Sequence, residues 1–104
     1  MSSEDDREFT EAELYQAFVD CARMGELDVL REAIAEDKTL VPKARDAHGN
    51  TALHMAAANG LVAVVDALLQ CDGVERILTA KNDCGNTAQH GAVVSNKVDV
   101  VERL

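Results

Sequence analysis

Residues 51–60 read TALHMAAANG and residues 87–96 read TAQHGAVVSN, so a Thr, the Ala after it and a His three places on recur thirty-six residues later. The agreement spreads outward from that phrase. ARDAHGNTALHMAAANGLVAVVDALL, from Ala44, runs beside AKNDCGNTAQHGAVVSNKVDVVERL, from Ala80, setting Gly49 against Gly85, His54 against His90 and Val64-Val65 against Val100-Val101. A third copy lies upstream: FVDCARMGELDVLREAI, from Phe18, sets Gly25 against Gly60, Ala22 against Ala57 and Val29-Leu30 against Val64-Val65, but lacks the TxxH phrase. Self-similarity at this period marks small units that cannot bury an apolar face alone and must stack on one another. The first copy has no neighbour on its outer side, which predicts a polar face there, and Glu11, Glu13 and Asp20 fit it.

Local signals describe one unit. An Ala-rich helix over Thr51 to Asn59 is stopped by Gly60, which supplies the left-handed backbone that helix ends favour. A second helix follows, in which Val64, Val65, Leu68 and Leu69 recur at helical spacing as one buried stripe. Asn96 replaces Gly at the matching stop, and Asn is the next residue type to tolerate that conformation. Thr10 and Glu13 have capping-box spacing, so the first helix starts near Thr10 and residues 1–9 form an acidic tail. Ser2 and Ser3 before Glu-Asp-Asp would suit an acid-preferring kinase, against the plainer reading of a solvated tail. CDGVERILTA, from Cys71, runs about three residues beyond the usual repeat length; it predicts a loop extension whose Val74, Ile77 and Leu78 pack across the top of the repeat.

The pattern DxxGxTALHxAAxxG followed by VVxxLL resembles the ankyrin repeat. The likeness runs through residues 45–69, returns over 81–104 and is faintest over 10–34. It implies an all-α fold, an ankyrin-repeat solenoid of stacked helix-turn-helix units with hairpin-like loops, spanning residues 10–104 as repeats 10–44, 45–80 and 81–104, the last incomplete. In that family the Thr and His tie the helix start to the neighbouring hairpin, a structural role the resemblance gives to Thr51, His54, Thr87 and His90, with Gly60 as the helix stop. A metal or catalytic use of these histidines lacks a Cys or Asp at ligand spacing. The family's variable surface positions, which select a protein partner, fall on Arg45, Ala47, His48, Asn50, Ala58, Asn59, Lys81, Asp83, Cys84, Asn86, Val94 and Ser95. For each, the alternative is an uninvolved solvated residue.

Departures from the pattern weaken the third copy. Gln89 stands where Leu53 plugs the space between repeats, and Gly91 costs about 1 kcal/mol relative to Ala in a helix interior. The chain stops at Leu104, leaving Val100, Val101 and Leu104 as a stripe with no following repeat. That predicts a longer natural chain, or a carboxyl end covered by another molecule, including self-association.

Composition narrows the function. The 104 residues are 47% apolar but hold one Tyr, two Phe and no Trp, so the core is built from Ala, Val and Leu. Nineteen acidic residues against ten basic give a charge of −9, which disfavours nucleic acid and favours a basic protein segment. No basic signal start is present, and LVAVVDALL is too short for a membrane span. Cys21, Cys71 and Cys84 are odd in number and lack CxxC spacing, which reads as reduced thiols in a cytoplasmic or nuclear protein. No Gly-rich phosphate loop, nucleophile motif or converging acid and base is present, so no enzyme activity, metal or cofactor is expected. The expected function is a non-catalytic interaction module, and a narrower likeness to small fungal ankyrin chaperones of a small-subunit ribosomal protein suits an acidic escort of a basic client. The alternatives are a signalling or regulatory adaptor and the ankyrin portion of a larger enzyme.

Overall fold

A computed structural model describes residues 10–95 and 97–104, and the expectations for the tail at 1–9 and for Asn96 lie outside it. Thr10 caps the first helix, α1 (Glu11–Met24): its hydroxyl accepts the Glu13 N–H at 3.1 Å, and its own N–H donates to the Glu13 carboxylate at 2.9 Å. This reciprocal pair satisfies two of the donors that every helix start leaves open. Gly25, at φ 75°, ends α1, and α2 (Leu27–Glu36) runs back beside it. The same device recurs around Gly60 at φ 70°, between α4 (Ala52–Ala58) and α5 (Val62–Leu69). In the third unit α7 (Ala88–Val94) precedes α8 (Val98–Arg103). No strand occurs among the described residues, and the all-α expectation holds.

Stacking makes the core. Within the stack α1 packs on α4 and α4 on α7, while α2, α5 and α8 form the second row. The shared interior is built from Ala22, Ala52, Ala56, Ala57, Ala88 and Ala92 between the inner helices, with Leu30, Leu53, Val65, Leu68 and Val100 beside them. All of these are fully buried. Small side chains permit close helix approach, and the larger aliphatic ones supply about 1.5–3 kcal/mol each on burial. Arg103 reaches back from α8 to Asp66 on α5 at 2.8 Å, an ion pair two-fifths exposed at each end and worth at most about 1 kcal/mol.

Three expectations change. The segment after Cys71, expected as a loop extension packed across the repeat top, forms a short helix, α6 (Val74–Leu78), in which Val74 and Ile77 do pack, buried against α3 (Leu40–Lys43). The stripe expected to lie bare at the carboxyl end is largely covered, because α8 turns Val100 inward against α5 and α7; Val101 and Leu104 are half-buried. The exposed apolar residues at that end are Val93, Val94 and Val98 instead. The outer face of the first unit is not wholly polar either, since Leu14 and Val29 stand 47% and 48% exposed there.

Gly91 sits inside α7 without positive φ, and a Cβ added to it would meet only the Ala58 Cβ at 3.7 Å. Ordinary van der Waals contact means no clash, so the entropy cost of Gly is the only term in play. Gly91→Ala is therefore expected to stabilise the fold by about 0.5–1 kcal/mol and raise the melting midpoint by several degrees. A lower midpoint would show that α4 and α7 have no room for that methyl group.

Candidate protein-interaction face

Asp46 opens the first hairpin loop. Its carboxylate accepts the N–H groups of His48 at 2.8 Å and Asn50 at 2.9 Å, while its own N–H donates to the Asn50 carbonyl at 2.9 Å. Asn82 does the same in the next unit, accepting from the Cys84 and Asn86 N–H groups at 3.0 Å each. A short polar side chain that bonds the backbone two residues on is what makes Asp and Asn turn residues.

The two hairpins lie side by side. The Asp83 N–H donates to the His48 carbonyl at 3.0 Å, the Asn82 amide donates to the Asn50 side chain at 2.8 Å, and the Arg45 guanidinium donates to the Gly49 carbonyl at 3.1 Å and the Lys81 carbonyl at 3.0 Å. Gly49 is tightly held between them: a Cβ there would stand 2.5 Å from the Asp83 Oδ1, at a φ of +78°. Its counterpart Gly85 has nothing within 4 Å.

Thr51 and His54 are the buried polar residues of the core, at 0% and 5% exposure. The Thr51 N–H donates to the His54 Nδ1 at 3.1 Å and the Thr51 hydroxyl lies 2.9 Å from the same nitrogen, while Nε2 lies 2.8 Å from the Asn86 carbonyl. A carbonyl can only accept, so the network assigns the proton to Nε2 and leaves Nδ1 as acceptor. Burial pushes the His54 pKa below its ordinary 6.5; the Arg45 charge adds to that, and the Asn86 carbonyl and Asp46 oppose it. Protonation would turn an N–H toward the Thr51 donors.

The site residues divide into two groups. Arg45, Asn50 and Asn86 spend polar groups holding the hairpins together, whereas Ala47, His48, Lys81, Asp83 and Cys84 stand exposed along the loop tips. Asn59, Val94 and Ser95 are exposed at the inner-helix ends, and Ala58 is half-buried opposite Gly91. Thr87 caps α7 by accepting the His90 N–H at 3.3 Å, but His90 is exposed and has no neighbouring hairpin among the described residues, so the tie expected of it has no counterpart. Gln16 was not singled out from the sequence: its side-chain oxygen accepts the Ala47 N–H at 3.0 Å, so α1 replaces the missing first hairpin. Its position in register with Thr51 was the available signal. Among the described residues no cluster of His, Cys, Asp and Glu could hold a metal, and no helix is long and apolar enough to cross a membrane.

Repeated helix pairs with hairpins bound edge to edge define an ankyrin stack. A family model described as ankyrin repeats, three copies, matches residues 18–104, and the chain belongs to that family. It is 39% identical over 66 residues to pig (Sus scrofa) NF-kappa-B inhibitor alpha, a match covering 61% of this chain and 21% of that protein. The chain thus spans about a fifth of that relative's length. Among solved structures it is similar to a chain in the crystal structure of the yeast ribosomal protein Rps3 in complex with its chaperone Yar1. That match has 31% identity and a TM-score of 0.80, covering 90% of this chain and 69% of that one.

The His54 network yields a pH dependence. Its folded pKa is lowered, so the unfolded chain binds more protons just below the ordinary value, and stability rises with pH there. His54 contributes fully above about pH 6.5 and its contribution is lost as pH drops from there toward the depressed folded value. Urea melts should show this slope in the parent and lose it in His54→Gln, while His54→Ala costs about 1–3 kcal/mol at neutral pH. An unchanged midpoint for His54→Ala would remove His54 from the inter-repeat tie. At the glycines, Gly49→Ala should cost about 1–2 kcal/mol more than Gly85→Ala, since both pay for the left-handed backbone and only Gly49 meets Asp83.

Proposed function

We propose that this chain is a non-catalytic interaction module that holds a partner protein through a Lys- and Arg-rich segment, as a chaperone or escort. The observation that carries the reading is the likeness, over 90% of the chain, to a structure of a ribosomal protein with its chaperone. An ankyrin stack is a protein-interaction fold: it offers aligned loop tips and inner-helix ends without a reacting group. The charge of −9 favours a basic segment and disfavours direct nucleic-acid contact. The segment lies along the concave face formed by the tips at Ala47, His48, Lys81, Asp83 and Cys84 and the ends at Ala58, Asn59, Val94 and Ser95. Arg45, Asn50 and Asn86 position that face from within the hairpins. The acidic residues 1–9 speed encounter, and the protein acts in the cytoplasm or nucleus.

The likeness to NF-kappa-B inhibitor alpha favours a second reading, a regulatory adaptor with an unrelated partner. A further consequence is self-association at the carboxyl end, where Val93, Val98 and Val101 line an open apolar cleft with Lys97 and Glu102. Sedimentation that reports a monomer at every concentration would exclude it.

Capture of the partner from extract, followed by binding kinetics at low and high salt, tests the main reading. Exposed charges are screened over about 8 Å at physiological ionic strength, so added salt should slow association. Val94→Arg, at a residue 70% exposed, should block docking by bulk and charge without unfolding the chain. Salt-independent association, or full binding by Val94→Arg, would move the interface off this face.

A further inference from the structure

The outer side of the first unit carries a groove of about 300 Å³ between α1 and α2, lined chiefly by Leu14, Ala17, Phe18, Val29, Ala33 and Leu40. On α1, Leu14, Ala17, Phe18 and Cys21 follow one another at helical spacing, and on α2 Val29 and Ala33 do the same, so both helices present an apolar stripe to this cleft. No element of the described chain covers it, and Leu14 and Val29 are about half exposed.

The charged residues that line it are acidic, with Lys43 as the cation that acts on Asp37. Glu36 and Asp37 line one end, and Glu32, exposed one helical turn before Glu36, continues the acidic edge. Asp37 accepts the N–H of Thr39 at 3.0 Å and its hydroxyl as well, and these bonds hold its pKa below the usual carboxylate value, so it stays charged. Lys38, the residue after Asp37, lines a separate cleft with Ile34, Gln70, Cys71 and Asp72. Residues 10–44 hold eight Asp and Glu against four Lys and Arg, a balance of −4, whereas the sixty residues from 45 to 104 balance at −2.

We infer that this groove is a second docking surface, which takes a basic amphipathic helix of a partner protein: apolar side chains at i, i+4 and i+7 seated between α1 and α2, with Lys or Arg on its flanks meeting Glu32, Glu36 and Asp37. A cleft walled by two helices accepts the apolar stripe of a third, and the acidic rim selects the flanking charge. A purely basic extended strand uses only the acidic rim, and a free anionic ligand is repelled by it. The site goes beyond the concave-face reading and does not depend on it.

The test uses three synthetic peptides on the full chain: Leu at i, i+4 and i+7 with Lys flanks, the same Leu stripe with Glu flanks, and the Lys flanks with Leu replaced by Gln. The first should bind about tenfold or more tightly than either control, weaken with added salt, and shift the methyl resonances of Leu14, Val29 and Leu40. Leu14→Gln with Val29→Gln should abolish that binding, and Glu32→Lys with Glu36→Lys should weaken it about tenfold, with the chain still folded in both because Leu14 and Val29 are half exposed and Glu32 and Glu36 lie at the surface. Equal affinity for the Glu-flanked peptide overturns the inference, as do shifts confined to Met55 and Val94. It also fails if the full chain ignores the peptide while deletion of residues 1–9 shifts the same methyls, or if those methyls respond to protein concentration as a dimer forms. The two sites separate cleanly, since Val94→Arg should leave peptide binding intact and the Leu14→Gln, Val29→Gln pair should leave concave-face binding intact.

Discussion

Alanine sets the spacing of the whole stack. Ala22, Ala52, Ala56, Ala57, Ala88 and Ala92 fill the interior between α1, α4 and α7 and are completely buried. A chain with three aromatic residues has little to wedge its inner helices apart. The short distance that results has a polar consequence: the hairpins that precede α4 and α7 come within hydrogen-bonding reach, so Asp83 N–H meets the His48 carbonyl and His54 meets the Asn86 carbonyl. A larger side chain in the alanine layer would stretch those bonds as well as overpack the core, and the two costs would not be independent.

The buried polar groups then fix which neighbour pairs with which. Apolar packing alone tolerates sliding, whereas Thr51 is satisfied by His54 within its own unit and the His54 Nε2 is satisfied only when Asn86 lies opposite. No buried side-chain nitrogen or oxygen among the described residues lacks a partner. The His54 ring links two units through one atom on each side, so its neutral state and a single tautomer are part of the register. Among the described residues the third unit has no such lock on its outer side, where Gln89 and His90 are exposed.

Much of this was legible because the repeat is written in residues whose roles are local. TxxH announces a capped helix start, Gly60 a left-handed stop, and Thr10 with Glu13 a capping box, and each needs only its own turn of chain to act. The features that escaped the sequence depend on neighbours. α3 and α6, of four and five residues, are too short to hold a helix by propensity and exist because they pack on each other. Gln16 reads as a solvated mid-helix residue until α1 is placed against the second hairpin. Val100 looks bare when judged by the few residues after it, but its contacts come from the units before it. Arg45, Asn50 and Asn86 read as variable surface positions, and their polar groups are committed to the hairpin ladder.

Net charge is a property of the chain, yet a partner meets it unit by unit. Residues 1–44 hold twelve acidic and five basic side chains, a balance of −7 out of −9, whereas residues 81–104 hold three of each. Packed helices stand about 8–10 Å apart, and the screening length at physiological ionic strength is about 8 Å, so each step along the stack costs the field roughly a factor of two or more. A basic segment approaching the third unit therefore feels little of the acidity at the first. Attraction is concentrated at the amino-terminal end of the solenoid, where an apolar cleft lies beside the acidic edge; at the carboxyl end Val93, Val94 and Val98 are exposed in a surface of balanced charge. Negative charge is thus concentrated at one end and exposed apolar side chains at the other, and this difference gives an otherwise repetitive scaffold its direction.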